Sequence, residues 1–187
     1  FVLKTTSAAT PTAAELRRLK RELALGSSVH HAHVVRYHGL ERTGESMVLV
    51  LEDFEASSLK HHLPEQGFSV GELLSLALQV ARALDAVHKQ QIVHKDIKTA
   101  NLVYNSVTGT LKLTDFGISS ELSKEYRSAD NANRLEGTLA YISPEQTGRM
   151  NRPVDYRSDF YSLGVTLFEL LTGRLPFTAA DALELVH

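Results

Sequence analysis

Cysteine is absent from the 187 residues, which excludes a disulfide framework, a thiolate zinc site and a cysteine nucleophile, and fits a reducing compartment. No stretch approaches the ~20 consecutive apolar residues of a membrane span, and no basic-then-apolar leader opens the chain, so a cytoplasmic location is expected. Neither sign of charge dominates: 20 basic and 22 acidic residues leave a formal net charge of -2. That balance gives no overall footprint for nucleic acid or an anionic membrane, so recognition must be local. Internal repeats and low-complexity tracts are missing too. What is present is ordinary: 43% hydrophobic and 22% charged residues, a composition that suits a folded globular chain with a core and rules out a tail or a fibre.

The pattern along the chain predicts a small sheet with one helix, then a helical portion. Phe1 to Lys4 reads as a strand already under way, and Asp181 to His187 stops inside a helical pattern, so the chain is expected to be a piece of a longer one. Thr12-Ala-Ala-Glu15 is a capping box after Pro11, and Leu16, Leu19 and Leu23 share a helical face as far as Gly26. Val34 to Tyr37 and Met47 to Leu51 read as an antiparallel pair around Thr43-Gly44-Glu45-Ser46, with the strand of Lys4 beside them. A short helix near Ser58 to Leu63 follows. Ser69-Val-Gly-Glu72 is a second capping box, opening a long helix with Leu73, Leu76, Val80, Leu84 and Val87 inward. Val103 and Leu111 to Leu113 flank a hairpin at Thr108-Gly109, and Ser119 to Asn133 reads as a polar surface loop. A last helix is expected over about 157–172, with Phe160, Leu163, Leu167 and Leu171 inward and Gly173 ending it.

The chemistry concentrates in His94-Lys95-Asp96-Ile97-Lys98-Thr99-Ala100-Asn101 and in Asp115-Phe116-Gly117, with Asp115 nineteen positions after Asp96. Phosphoryl transfer needs oxygen ligands for a hard cation, a carboxylate to accept a hydroxyl proton, and a positive charge near the γ-phosphate. Asn101, Asp115, Asp96 and Lys98 are residues of those types. The order and spacing of these segments, with a strand lysine and a glutamate-bearing helix before them, resemble the protein kinase signature set. The resemblance covers nearly the whole chain and implies an α+β, two-lobed protein-kinase-like fold truncated at both ends. Residues 1–52 would form a partial N-lobe and 53–187 a partial C-lobe.

By that resemblance Asp96 is the catalytic base, Lys98 the lysine beside the transferring phosphate, and Asn101 and Asp115 the Mg2+ ligands. Lys4 is the lysine that holds the ATP α and β phosphates. Glu15 and Glu22 both lie near the edge of the leucine stripe, so helical phase leaves the lysine's partner open; the resemblance places it at Glu22, eighteen residues after Lys4. Glu52-Asp53-Phe54 matches the linker whose backbone binds adenine, Leu51 the gatekeeper, Val2 and Val103 the walls around the purine, and Ser58 a ribose contact. Asp159 matches the buried acid that holds the catalytic loop, with helix capping by Asp155 or Asp159 as the competing reading.

The resemblance implies a serine/threonine kinase that uses ATP and Mg2+ on a protein substrate, since Thr138 and Lys98 fit that specificity; the piece by itself is expected to be weakly active. Some positions depart from the pattern. Lys95 stands where arginine is usual and cannot make the same bidentate fork, Gly26 stands where a bulky apolar residue is usual, Ser143 replaces alanine before Pro144, and no G-x-G-x-x-G is present. Gly26, Lys95 and Ser143 support an alternative, a pseudokinase acting as a nucleotide-binding or scaffolding module. Glu145 is expected to be a buried carboxylate without its usual partner. Leu135 to Arg152, above all Gln146 to Arg152, further resembles the kinase domain of large bacterial and fungal hybrid sensors, which implies downstream ATPase, sensory and histidine kinase modules. The clusters His30-His31-Ala32-His33 and His61-His62 read as polar packing in preference to a metal site, and His94 as a structural neighbour of Phe116. Ser119, Ser120, Ser123 and Ser128 are candidate phosphorylation positions.

Overall fold

A computed structural model describes residues 1–5, 11–121, 139–148 and 152–177. Three antiparallel strands, β1 (Val2–Thr5), β2 (Tyr37–Thr43) and β3 (Ser46–Leu51), form a sheet in the order β1-β3-β2. Helix α1 (Ala13–Ser28) lies against it, and both capping-box bonds at its start are made: the Glu15 N–H donates to the Thr12 hydroxyl and the Thr12 N–H to Glu15. Its buried residues are Leu19, Glu22, Leu25 and Gly26.

Two boundaries differ from the sequence expectation. α1 does not stop at Gly26 but runs on to Ser28, because this glycine serves close packing and not chain reversal. β2 begins at Tyr37 and not at Val34. The residues before it pair elsewhere: the Val35 N–H donates to the Leu113 carbonyl and the Leu113 N–H to the His33 carbonyl, both at 2.9 Å. The link between helix and strand is thereby bonded to a strand far along the chain.

The remaining elements are α2 (Val70–Lys89), α3 (Tyr156–Thr172) and short strands: β4 (Ser57–Ser58), β5 (Ile92–Val93), β6 (Leu102–Asn105), β7 (Thr110–Leu113) and β8 (Ser120–Glu121). β4-β6-β7 form one sheet and β5-β8 a pair. The capping box Ser69/Glu72 opens α2, whose Leu76, Val80, Ala83, Leu84 and Val87 enter a core shared with Leu49, Ile97, Leu113, Phe116 and Leu170. The β6–β7 hairpin turns where the Asn105 side chain accepts from the Val107 and Thr108 N–H groups. Within the expected surface loop, Ser119 is fully buried and donates to the His94 carbonyl, and Ser120–Glu121 is a strand. Residues 122–133 of that segment, with Ser123 and Ser128, lie outside the described residues.

α3 has the expected span, with Asp155 as its N-cap and Gly173 ending it in the left-handed region, but its inward face is not the expected one. Phe160 is 50% and Leu171 40% exposed, and Leu163 and Leu167 are half-buried. The buried residues are Ser158, Asp159, Ser162, Val165, Thr166, Glu169 and Leu170. The reason is what α3 packs against. Ser162 donates to the Tyr141 carbonyl, the Thr166 hydroxyl donates at 2.8 Å to the Ser162 carbonyl of its own helix and lies 3.5 Å from the Ile97 carbonyl, and Glu169 accepts from the Tyr141 hydroxyl. Loop backbone on the other side requires polar partners, and a helix that supplies them is buried on a polar stripe.

Candidate active site

β1 carries Val2 and Lys4 on one face, since alternate strand residues share a side. The Lys4 ammonium donates to Glu22 Oε1 at 2.7 Å and to Asp115 Oδ1 at 2.9 Å. Of the two glutamates left open by helical phase, Glu22 reaches the lysine while Glu15 caps the helix.

One cation shared by two carboxylates leaves the three groups in unequal states. Burial pulls the Lys4 ammonium down, but Asp115 and Glu22 outweigh it and raise the group above its ordinary value. Burial pushes the Asp115 carboxyl up, yet Lys4 and the Gly117 N–H hold it below the ordinary carboxylate range. Glu22 is dominated by burial and lies above that range despite Lys4. Asp115 has φ 68°, a left-handed conformation that Asp tolerates better than most residues. Gly117 leaves room two positions on: a Cβ there would sit 2.9 Å from Asp115 Oδ1 and 3.3 Å from Glu22 Oε2, so a carboxylate would have to shift.

The second loop is held from beneath. Asp159, fully buried, accepts from the His94 N–H at 2.9 Å and the Lys95 N–H at 2.7 Å, while His88 Nε2 lies 2.8 Å from the same carboxylate. Capping falls to Asp155 and loop-holding to Asp159. Lys98 Nζ donates to both Asp96 oxygens at 2.8 Å, and Asn101 Nδ2 to the Asp96 carbonyl and Oδ2, also at 2.8 Å. His94 is fully buried; Nε2 faces the Thr114 carbonyl, Nδ1 accepts from the Asp96 N–H, and the ring packs edge-on against Phe116 with centroids 5.0 Å apart. Those partners select the Nε2–H tautomer. His33 Nδ1 lies 2.9 Å from the carbonyl of the distant Leu111, and His31 Nδ1 accepts from the His33 N–H.

Val2 and Leu51 face each other across β1 and β3, and Val103 is half-buried on β6. The Glu52 carboxylate pairs with Lys112 and accepts from the Arg36 N–H, and its own N–H donates to the Arg36 carbonyl. Phe54 lies under the Lys112 ammonium, 4.7 Å from the ring centroid, and its carbonyl accepts from Asn105 Nδ2. The Ser58 hydroxyl lies 3.3 Å from the Thr99 and Ala100 carbonyls, so a ribose there would compete with them.

Sequence reading passed over several residues that build this arrangement. His88 follows the buried Leu84 by one helical turn, which was the available signal. Gln146 accepts from the Ser143 hydroxyl at 2.9 Å and donates to the Lys95 carbonyl at 3.1 Å, so the serine at 143 belongs to a link with the segment 94–101. Glu145 differs from expectation: it is half-buried and accepts from the Ser158 hydroxyl, so it is neither fully buried nor without a hydrogen-bond partner. Thr138 lies outside the described residues.

The family model described as the protein kinase domain matches residues 1–187. This chain belongs to that family. The serine/threonine-protein kinase PrkC of Bacillus subtilis is 35% identical over 171 residues, which is 91% of this chain and 26% of the relative. A probable serine/threonine-protein kinase PknB of Lactococcus lactis is 32% identical over 175 residues, 92% and 27% of the two chains. The RAF proto-oncogene serine/threonine-protein kinase of Xenopus laevis is 29% identical over 180 residues, 95% and 27%. The chain thus spans about a quarter of the length of these curated relatives. Protein kinases use ATP with Mg2+ on protein substrates. The donor set here fits that cation. Asp115 and Asn101 offer hard oxygen ligands, and among the described residues no cluster of three His, Cys, Asp or Glu forms a fuller cage; Mg2+ typically takes one or two protein carboxylates and completes its shell with water and phosphate. Among the described residues no helix is long and apolar enough to cross a membrane.

Proposed function

We propose that this kinase domain transfers the γ-phosphoryl group of Mg·ATP to serine or threonine hydroxyls of a protein substrate. The observation that carries the reading is the Lys4 ammonium bonded at once to Glu22 and Asp115, three residues from β1, α1 and a distant loop. Bound Mg·ATP supplies the phosphoryl group and the divalent charge that offsets its negative oxygens. Lys4, held by Glu22, is placed to bind the α and β phosphates, and Asp115 with the Asn101 carboxamide oxygen to hold the metal. Asp96 orients the substrate hydroxyl and takes its proton, while Lys98, already bonded to Asp96, is the cation beside the phosphate in transfer. Catalysis is then mainly alignment and charge neutralisation. Val2, Leu51 and Val103 enclose the adenine, and the backbone of Glu52 and Phe54 provides its polar contacts, with Ser58 near the ribose. The serine/threonine relatives support the hydroxyl specificity.

The segment Gln146 to Arg152 supports a place in a longer cytoplasmic signalling protein with downstream ATPase, sensory and histidine kinase modules. The pseudokinase alternative rests on Gly26, Lys95 and Ser143, and two of these have local partners that fit a working site: Tyr37 packs on Gly26, and Ser143 bonds Gln146. The test is phosphoryl transfer from labelled Mg·ATP by the full-length protein and its Asp96→Asn variant. Loss of transfer by at least about a hundredfold with unchanged nucleotide affinity is expected for a general base. A wild-type protein that binds nucleotide without transfer would sink the reading in favour of the pseudokinase.

A further inference from the structure

We propose that Tyr37 is a positioning residue that ties Glu22 of α1 and the loop 115–117 to β2, and that Gly26 is glycine to admit its ring. The proposal rests on the reading of Glu22 as the partner of the phosphate-binding lysine. A Cβ at position 26 would stand 2.5 Å from Cδ2 and Cε2 of Tyr37 and 2.8 Å from Cζ, distances that carbon atoms do not reach. The ring therefore occupies the space that a side chain on α1 would take. It is 6% exposed and packs edge-on against Phe116, with centroids 5.9 Å apart and planes at 80°.

A phenylalanine would fill that space equally well, so the hydroxyl needs its own account. It donates to Glu22 Oε1 at 3.2 Å, the same oxygen that takes the Lys4 ammonium, and the Phe116 N–H points to it at 3.5 Å, a long contact. One atom on the first sheet thus touches the helix glutamate and the loop that carries Asp115. The anchor is firm: Tyr37 pairs with Leu51 of β3, and the β2–β3 register shifts between Tyr37 and Gly39, the kind of irregularity that re-aims a strand side chain. Burial, then the charges of Glu22 and Asp115, push the phenol well above its ordinary value, so it stays a donor at working pH. Glu22, buried and sharing its cation with Asp115, gains a second donor that cannot move with the helix.

The experiment compares the full-length protein with Tyr37→Phe, Gly26→Ala and Gly26→Ala/Tyr37→Leu, by amide hydrogen exchange of segments 19–26 and 115–119 without nucleotide, by melting temperature, and by kcat and KM. Removing one hydroxyl that bonds a charged group is expected to speed exchange in both segments about tenfold and to lower kcat about as much, with KM for the protein substrate unchanged. Gly26→Ala should speed exchange and lower the melting temperature; the double variant should regain the melting temperature, because leucine makes room, but keep the fast exchange. Wild-type exchange rates in Tyr37→Phe, or slow exchange in the double variant, would overturn the proposal. Exchange reads the tie without turnover, so fast exchange in Tyr37→Phe upholds it even where the wild-type protein transfers no phosphate, a result that would count against the kinase reading alone.

Discussion

Replacing Asp159 by asparagine changes one oxygen to an NH2 group at a site with no access to water, and the cost can be worked from its three contacts. Oδ1 accepts from the Lys95 N–H at 2.7 Å; Oδ2 accepts from the His94 N–H at 2.9 Å and lies 2.8 Å from His88 Nε2. With its oxygen in the Oδ2 place, the new carboxamide keeps two partners and sets its NH2 against the Lys95 N–H; flipped, it keeps Lys95, sets its NH2 against the His94 N–H, and holds His88 only as a donor to an unprotonated Nε2. At best one charge-assisted bond disappears, worth about 1.5–3 kcal/mol, and two buried donors are left facing each other, which costs about 1–3 kcal/mol more. The expected loss is therefore about 2.5–6 kcal/mol, a large part of the ~5–15 kcal/mol that holds a typical domain folded. Urea denaturation measures it, and amide exchange at Lys95 locates it. Because Asp96 follows Lys95 directly, kcat of the folded fraction should fall at least about tenfold, the effect of ~1.4 kcal/mol of misplacement. A stability change under about 1 kcal/mol, or a Lys95 amide as protected as in the wild type, would refute the assignment of Asp159 as the post under this loop.

Two further outcomes are expected. Hydrogen bonds from Thr12 and Ser69 hold the carboxyls of Glu15 and Glu72 below their ordinary 4.5, so their contribution to stability is complete above that value and is lost as the pH falls through the folded-state pKa. Gln fits the same capping position without titrating, so the denaturation midpoint of Glu15→Gln/Glu72→Gln should fall less steeply than the wild type's between about pH 5 and about pH 3. In Gly117→Ala, a Cβ 2.9 Å from Asp115 Oδ1 must displace that carboxylate; the Mg2+ concentration for half-maximal transfer should rise several-fold, with an overpacking cost of about 1–3 kcal/mol seen in the melt.

The two capping boxes, the β6–β7 hairpin and the inward face of α2 were legible in the sequence because each is set by neighbours within a few positions or by apolar contact with an apolar core. The meeting of Lys4 with Glu22 was legible for another reason: helical phase left two glutamates, and the family's spacing chose between them. α3 was misread for the converse reason. Its leucines and phenylalanines obey helical periodicity, yet Phe160 and Leu171 face outward, since the inner neighbours are the backbones of residues 94–97 and 141. Periodicity reports apolar partners and is silent on a helix whose task is to satisfy N–H and C=O groups. Tyr37 escaped notice because nothing in a single chain reveals that a glycine eleven residues earlier makes room for it.

Gly26 and the polar stripe of α3 follow one logic. A loop that must hold chemically active side chains cannot bury its backbone in hydrocarbon, so the elements around it give up their usual apolar contribution at the points of contact. α1 gives up a side chain at Gly26, and a tyrosine from β2 enters with a hydroxyl aimed at Glu22. α3 gives up leucines for Asp159 and Ser162, each bonded to another segment's backbone. Between these two concessions the rings of Tyr37, Phe116 and His94 stack edge to face, and the His94 N–H ends on Asp159. The contacts run unbroken from the first sheet to α3, so the places where the local pattern fails are the places where the candidate site is held. A sequence whose local preferences agree with its fold elsewhere and break at such points is spending stability on the geometry of a site.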